Sequence, residues 1–343
     1  MVEGPTPRQM AKGLLQGISP PRPLFLPIVF SLGARVENLP LRAFLGNPTK
    51  ISNSLRRIRS HLRPDGVACY FDPNLEAEAL GATLCWEEDD RQAKVQWSAP
   101  ARKGELPERL LSPEQAAKSG RVSVAVEVIR RLDTLLRDES LLMAGVTGPF
   151  TLAARLTQLE AEDTLHLEEL PPPALELAAA LITKIASAFV GAGANLIFIQ
   201  EDVLPALSAE SCESWAALLA PTFNIIRFYE AVPVLCFADS RSFAKNRSLI
   251  LQRHWDCVLC PALNAISPGA SVDIPDFGAA VLGIALPLEG LQSDDSGSDG
   301  GNQILRDLIS KLRPAILTTA GDVPLTTDLK RLLKVLEAVP RAF

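Results

Sequence analysis

A (β/α)8 barrel is the fold the sequence predicts, on three observations. Eight short apolar runs recur along the chain without the alternation of a one-sided sheet, as buried parallel strands do. Helical patterns separate most of them. The chain has 343 residues, 47% of them hydrophobic, which suits one large α/β unit with a sizeable core.

The runs, in order, are LFLPIVFS (24–31), GVACYFD (66–72), LLMAGVTG (141–148), ANLIFIQE (194–201), PVLCFAD (233–239), DCVLCPA (256–262), AAVLGIAL (279–286) and AILTTAG (315–321). Helices are expected over 48–62, 174–193, 212–231, 302–312 and 326–339, the last with Thr326 or Thr327 as N-cap. Two segments depart from the repeat. Residues 83–98 read as a β-hairpin excursion after strand two, with an acidic turn, and 291–301 (LQSDDSGSDGG) as a flexible acidic loop. Residues 1–22 form an N-terminal helical extension, so that 1–343 is one barrel domain.

Composition narrows the function. A net charge of −6 argues against a nucleic-acid or anionic-membrane binder, and 6% aromatic residues leave few stacking platforms. The charged N-terminus does not read as a signal peptide, and no run reads as a membrane span, so a cytoplasmic location is expected. The six cysteines, at 69, 85, 212, 236, 257 and 260, lie scattered in apolar contexts, unlike a disulfide framework.

Active sites of such barrels lie at the C-terminal ends of the strands. Asp72 ends strand two and can meet an N–H group or a cation; as plain structure it would cap the helix at 75–80. Thr147-Gly148-Pro149 turns strand three into a helix whose free N–H groups face the mouth, so Gly148 is a candidate for close backbone approach to a ligand. Glu201 and Asp202 end strand four; neighbours on a strand face opposite ways, and Glu201 is the expected inward carboxylate, an acid/base candidate. Asp239 and Arg241 follow strand five, where Asp239 could orient a cation or a surface ion pair could form. Glu289 follows strand seven and reads as a solvated loop residue. Arg35, after strand one, and Arg155, one turn into its helix, are candidates for an anionic ligand. His61 and His166 read as surface residues.

Several of these blocks resemble the uroporphyrinogen decarboxylase superfamily. TPRQMAKGLLQGISPPRPLFLPI is similar to its opening and LRAFLGNPTKI to the segment after strand one. PDGVACYFDPNLEAEALGA resembles its second strand, aspartate and Glu-Ala-Leu-Gly stretch. GVTGPFTLAARL looks like its Gly-Pro turn, GAGANLIFIQED its strand-four block, and VPLTTDLKRLLKVLEAV its closing helix. The resemblance implies a barrel with a deep mouth, one of two chemistries, and a homodimer, since members often pair.

In the decarboxylase branch, an aspartate accepts hydrogen bonds from pyrrole N–H groups, and that position matches Asp72. Of two arginines after strand one, only Arg35 is retained. The tyrosine after the Gly-Pro turn falls on Arg155, and the histidine after strand eight falls near Gly321-Asp322. In the methyltransferase branch, a zinc-bound thiol is activated by a His-x-Cys after strand five and a Cys after strand eight. Here Cys236 and Ala238 take the first pair, and TTAGDVP has no cysteine. A displaced zinc site would draw on Cys236, Cys260, Glu201 and His254; otherwise the cysteines are core residues.

The expected function is therefore a carboxy-lyase-like barrel enzyme acting on a carboxylated or tetrapyrrole-like small molecule through Arg35, Asp72 and Arg155, with no cofactor. The alternatives are a methyltransferase partnered by a corrinoid protein and a barrel that binds such a ligand without turnover.

Overall fold

The computed structural model describes residues 4–87, 93–97, 102–136, 139–159, 165–202, 204–238, 240–261, 282–286, 310 and 312–327. Asp239, Glu289, the acidic loop at 291–301, most of the helix expected at 302–312 and nearly all of that at 326–339 lie outside the described residues.

The chain enters through α1 (Pro7–Leu14). Thr6 caps it, accepting from Gln9 N–H, while the Gln9 side chain returns a bond to the Thr6 N–H, and Pro7 begins it. Strand β1 (Leu24–Phe25) leads through α2 (Leu32–Val36) and α3 (Leu41–Leu45) to α4 (Pro48–Leu62). Both ends of α4 match the expected 48–62. Asn47 accepts from Lys50 N–H at its start, and Arg63 takes the left-handed conformation (φ 47°) at its end. Strand β2 (Gly66–Tyr70) and α5 (Leu75–Ala79) then lead into the antiparallel hairpin of β3 (Thr83–Trp86) and β4 (Ala93–Gln96), as expected.

After α6 (Pro113–Ala116) comes α7 (Gly120–Leu136), a 17-residue helix the sequence reading does not include. Valines at 122, 124, 126 and 128 give it the alternation of a strand. Burial follows the helical period instead, with Val122, Ala125, Val128, Ile129, Leu132 and Leu136 inside. The remaining described elements are, in order, β5 (Leu141–Thr147), α8 (Pro149–Leu156), α9 (Pro172–Gly191), β6 (Leu196–Glu201), α10 (Ala209–Phe228), β7 (Val232–Phe237), α11 (Ser240–Leu251), β8 (Cys257–Pro261), β9 (Leu282–Leu286) and β10 (Ile316–Thr319). Helix α9 has the length and apolar character of a bilayer span, which the sequence reading expected of no segment. Here it packs against α8, α10, β5 and β6, with Leu181, Ile182, Ile185 and Phe189 fully buried.

Eight strands form one parallel sheet in the order β1-β10-β9-β8-β7-β6-β5-β2, each corresponding to one of the eight expected runs. With helices around it the sheet is a nearly closed (β/α)8 barrel. The seam between β1 and β2 is bridged by Asp65: its N–H donates to Phe25 O (3.0 Å), and its carboxylate accepts from Phe25 N–H (2.8 Å) and from Arg22 (2.6 and 2.7 Å).

Candidate active site at the barrel mouth

The strand ends open on a cavity of about 190 Å³ lined by residues at or beyond the C-terminal ends of β2, β5, β6 and β10. Its apolar side is made by Phe71 and Val146, and Phe71 packs edge-on to Phe198 with centroids 5.6 Å apart. Gly145 is required there, because a Cβ at 145 would lie under 3.0 Å from the Phe71 ring. Its polar side carries Asp72, Arg155, Gln200, Asp202 and Asp322.

Asp72 stands where expected. One oxygen accepts from Arg121 Nη1, and the other accepts from Asn74 N–H at 3.0 Å. A carboxylate offers about four acceptor positions, so this one keeps capacity to spare. Arg121 comes from α7 and also donates through Nε to Glu78, which fixes Asp72 from behind. Its Nη2 is buried without a hydrogen-bond partner.

The order expected at the end of β6 is reversed. Asp202 lines the cavity, accepting from Arg155 Nη2 and from Gln200 Nε2 (3.0 Å), whereas Glu201 points into the wall. There Glu201 is completely buried and takes four hydrogen bonds, from Phe150 N–H (3.1 Å), Thr151 N–H (2.8 Å), Thr151 Oγ1 (2.6 Å) and Trp215 Nε1 (2.9 Å). It caps the start of α8 as an anion at the positive end of the helix dipole. Burial pushes its carboxyl above the ordinary value, and these donors oppose the shift.

The Gly-Pro turn has the same explanation. Thr147 N–H and Oγ1 donate to the buried Glu76 (2.8 and 2.9 Å), Gly148 N–H donates to Gln200 O (2.6 Å), and the next two available N–H groups go to Glu201. The donors expected to face a ligand are therefore taken by the protein, and Gly148 does not line the cavity. Glycine is needed at 148 because a Cβ there would overlap the Glu201 carboxylate.

Arg155 lines the cavity as expected and bridges it, donating to Pro73 O from one nitrogen and to Asp202 from another. Arg35 does not. It donates to Leu325 O (3.0 Å) and Thr327 O (2.7 Å), fastening α2 to the segment after β10. Asp322, which the sequence reading names only as the place near which the family's histidine falls and not as a site candidate, accepts from Phe30 N–H (2.8 Å) and Ser31 N–H (2.9 Å) and lines the cavity opposite the β6 end. Burial raises its carboxyl to about 6. The signal for it was available: an aspartate three residues beyond the eighth strand.

The displaced metal set is not assembled. Cys236 pairs in register with Leu259, so Cys236 and Cys260 project from opposite faces of the sheet. Burial raises both thiols. His254 lines a separate groove between α10 and the segment ending at Trp255, and Glu201 is saturated. Among the described residues no group of three or more His, Cys, Asp or Glu side chains is placed to hold a metal ion.

The architecture is shared with solved structures. A methyltransferase from Methanosarcina mazei superposes with a TM-score of 0.74 at 16% identity, covering 99% of this chain and 98% of that one. A putative vitamin-B12 independent methionine synthase from Listeria monocytogenes gives 0.54 at 12%, covering 92% and 94%. A B12-independent methionine synthase from Shewanella sp. W3-18-1 gives 0.51 at 10%, covering 88% of each. At such identities the likeness is one of fold. No curated protein matches the sequence significantly. The profile of the family Uroporphyrinogen decarboxylase (URO-D) matches residues 15–339, nearly the whole barrel and its mouth, and the chain belongs to that family.

Proposed function

We propose that this barrel acts as a carboxy-lyase on a carboxymethyl-bearing pyrrole, taking one ring at a time. The observation that carries the reading is the lining of the mouth: three carboxylates, one amide and one arginine around a small space with an apolar side. A polyanion would meet repulsion from Asp72, Asp202 and Asp322. A pyrrole ring offers an N–H donor for Asp72 or Asp202, flat apolar faces for Phe71 and Val146, and a single carboxylate arm for Arg155. The space between the described lining residues has room for one such ring.

The chemistry follows from the charges. Protonation of the ring carbon beside the arm-bearing one makes the ring cationic. As CO2 leaves, the pair of the breaking C–C bond moves into that cation and forms an exocyclic methylene. The methylene takes a proton from water and becomes a methyl group, and the ring carbon then gives up the proton it first received. Net, one proton is consumed and one CO2 released. Asp72 and Asp202, each fixed by an arginine, stabilise the cationic ring electrostatically, in a role that needs no cofactor. Methyl transfer with a corrinoid partner is less supported, because the residues it would need for a metal stand apart.

Incubation with pyrrole-3-acetate tests the reading. The expected result is 3-methylpyrrole and CO2, with Asp72→Asn weakening binding about tenfold or more. Absence of both turnover and saturable binding by calorimetry would remove the proposal. Binding without turnover would leave a barrel that only holds its ligand.

A further inference from the structure

We infer that Asp322 is the proton carrier of this site, delivering a proton to the ring carbon beside the arm-bearing carbon and later taking it back; the inference rests on the pyrrole reading above.

Three carboxylates reach the cavity, and their surroundings differ in kind. Asp72 is ion-paired to Arg121 and Asp202 to Arg155, so each is committed to holding charge in place. Asp322 is held by neutral backbone donors, the N–H groups of Phe30 and Ser31. Those two donors suit the carboxylate left behind when the proton departs, and they fix its position without a counter-ion that would hinder its reprotonation. The charged groups facing it across the cavity are Asp72 at the end of β2, Asp202 at the end of β6 and Arg155 on α8, while Arg35 of α2 grips the backbone of its own loop at 325 and 327. A general acid works best with a pKa near the working pH, and burial brings this carboxyl up to about 6.

The bookkeeping of atoms closes. The Asp322 O–H bond breaks as a C–H bond forms on the ring, leaving a carboxylate. After CO2 has left and water has protonated the methylene, the same C–H bond breaks, its pair restores the aromatic ring, and the proton returns to Asp322.

The test is proton NMR of pyrrole-3-acetate in D2O with the full chain, reading two signals: appearance of the 3-methyl product and the fate of the ring hydrogen beside the arm-bearing carbon. Wild type is expected to form the product at a rate that falls as the pH rises above about 6, and to keep the ring hydrogen, because a carboxyl on one face of the ring takes back the atom it delivered. Asp322→Asn is expected to lower decarboxylation about 100-fold or more while the dissociation constant stays within about threefold. Asp322→Glu, which restores an acid in the same place, is expected to recover part of the rate with a shifted pH profile; it also serves if the asparagine variant does not fold. If wild type decarboxylates but loses the ring hydrogen, or if Asp322→Asn or Asp322→Glu leaves rate and pH profile unchanged, the proton role is wrong and the pyrrole reading stands. If wild type does not decarboxylate, both fall together.

Discussion

Gly148 and Glu201 occupy one another's space: the carboxylate of the second sits where a side chain on the first would be. A Cβ at 148 would lie under 3.0 Å from three atoms of that carboxylate, although the backbone there (φ −68°) is one any residue adopts. The glycine is thus a steric requirement, and it lets a buried anion reach the N–H groups of Phe150 and Thr151.

Gly148→Ala should therefore destabilise the fold by about 1–3 kcal/mol, the ordinary cost of overpacking. Gly46→Ala is the control. Gly46 ends α3 with nothing within 4 Å of its added Cβ, and that change should be neutral or stabilising by up to about 1 kcal/mol. Urea denaturation of the two variants checks the contrast, and equal effects would mean that Glu201 can move aside.

How far the site could be read in advance depends on the kind of information each residue needed. The eight strands and the 48–62 helix were legible because apolar runs and caps are local signals. Asp72 and Arg155 were legible because strand ends mark a barrel mouth. The choice between Glu201 and Asp202 was not, because a barrel strand is apolar on both faces and its inward phase leaves no trace in the alternation. Arg121 stands 49 residues from Asp72, on a helix whose valine alternation resembles a strand. Asp322 owes its position to Phe30 and Ser31, nearly 300 residues away in the chain. Contacts of that range come only from closing the barrel.

The Arg121 pairings predict an asymmetry among arginines of one helix. Arg121 is buried and bonded to both Asp72 and Glu78, so Arg121→Ala strands two carboxylates, one of them buried, and should cost about 3–5 kcal/mol. Arg131, ten residues along α7, pairs with Glu127 at the surface, and Arg131→Ala should cost under about 1 kcal/mol. Chemical denaturation distinguishes them. A small loss for Arg121 would show that water enters behind Asp72.

Asp322 also makes a prediction about stability and pH. Its carboxyl is raised from 3.8 to about 6 in the folded chain, which therefore binds this proton more tightly than the unfolded chain does. The stabilisation is fully present below about pH 4 and is lost as the pH climbs to about 6. Asp322→Asn removes that dependence, so the stability of wild type relative to the variant should fall by about 1–3 kcal/mol between pH 4 and pH 7. Thermal melts at paired pH values measure this, and other carboxylates cancel in the difference. A gap independent of pH would mean that Asp322 titrates as an ordinary aspartate.

The barrel seam supplies the last prediction. The hydrogen-bonded order of the sheet runs from β1 to β2 without pairing those two strands directly, so closure depends on bridging groups. Asp65 provides several: its backbone bonds Phe25 O and Leu141 N–H, and its carboxylate holds Phe25 N–H and both terminal nitrogens of Arg22. Asp65→Ala keeps the backbone bonds and removes the carboxylate, leaving the Phe25 N–H without its acceptor and Arg22 with only the Pro23 carbonyl. A lost bond to an ion with a stranded donor costs about 1–3 kcal/mol. The loss should be local before it is global, because β1 is only two residues long and lies at one end of the hydrogen-bonded order. Hydrogen exchange should therefore quicken at residues 24–26 and 316–317 in the variant, while β6 and β7, each paired on both sides, keep wild-type protection. Uniform loss across all eight strands would show instead that the ring opens only as a unit, with Asp65 stabilising the whole barrel and not its seam.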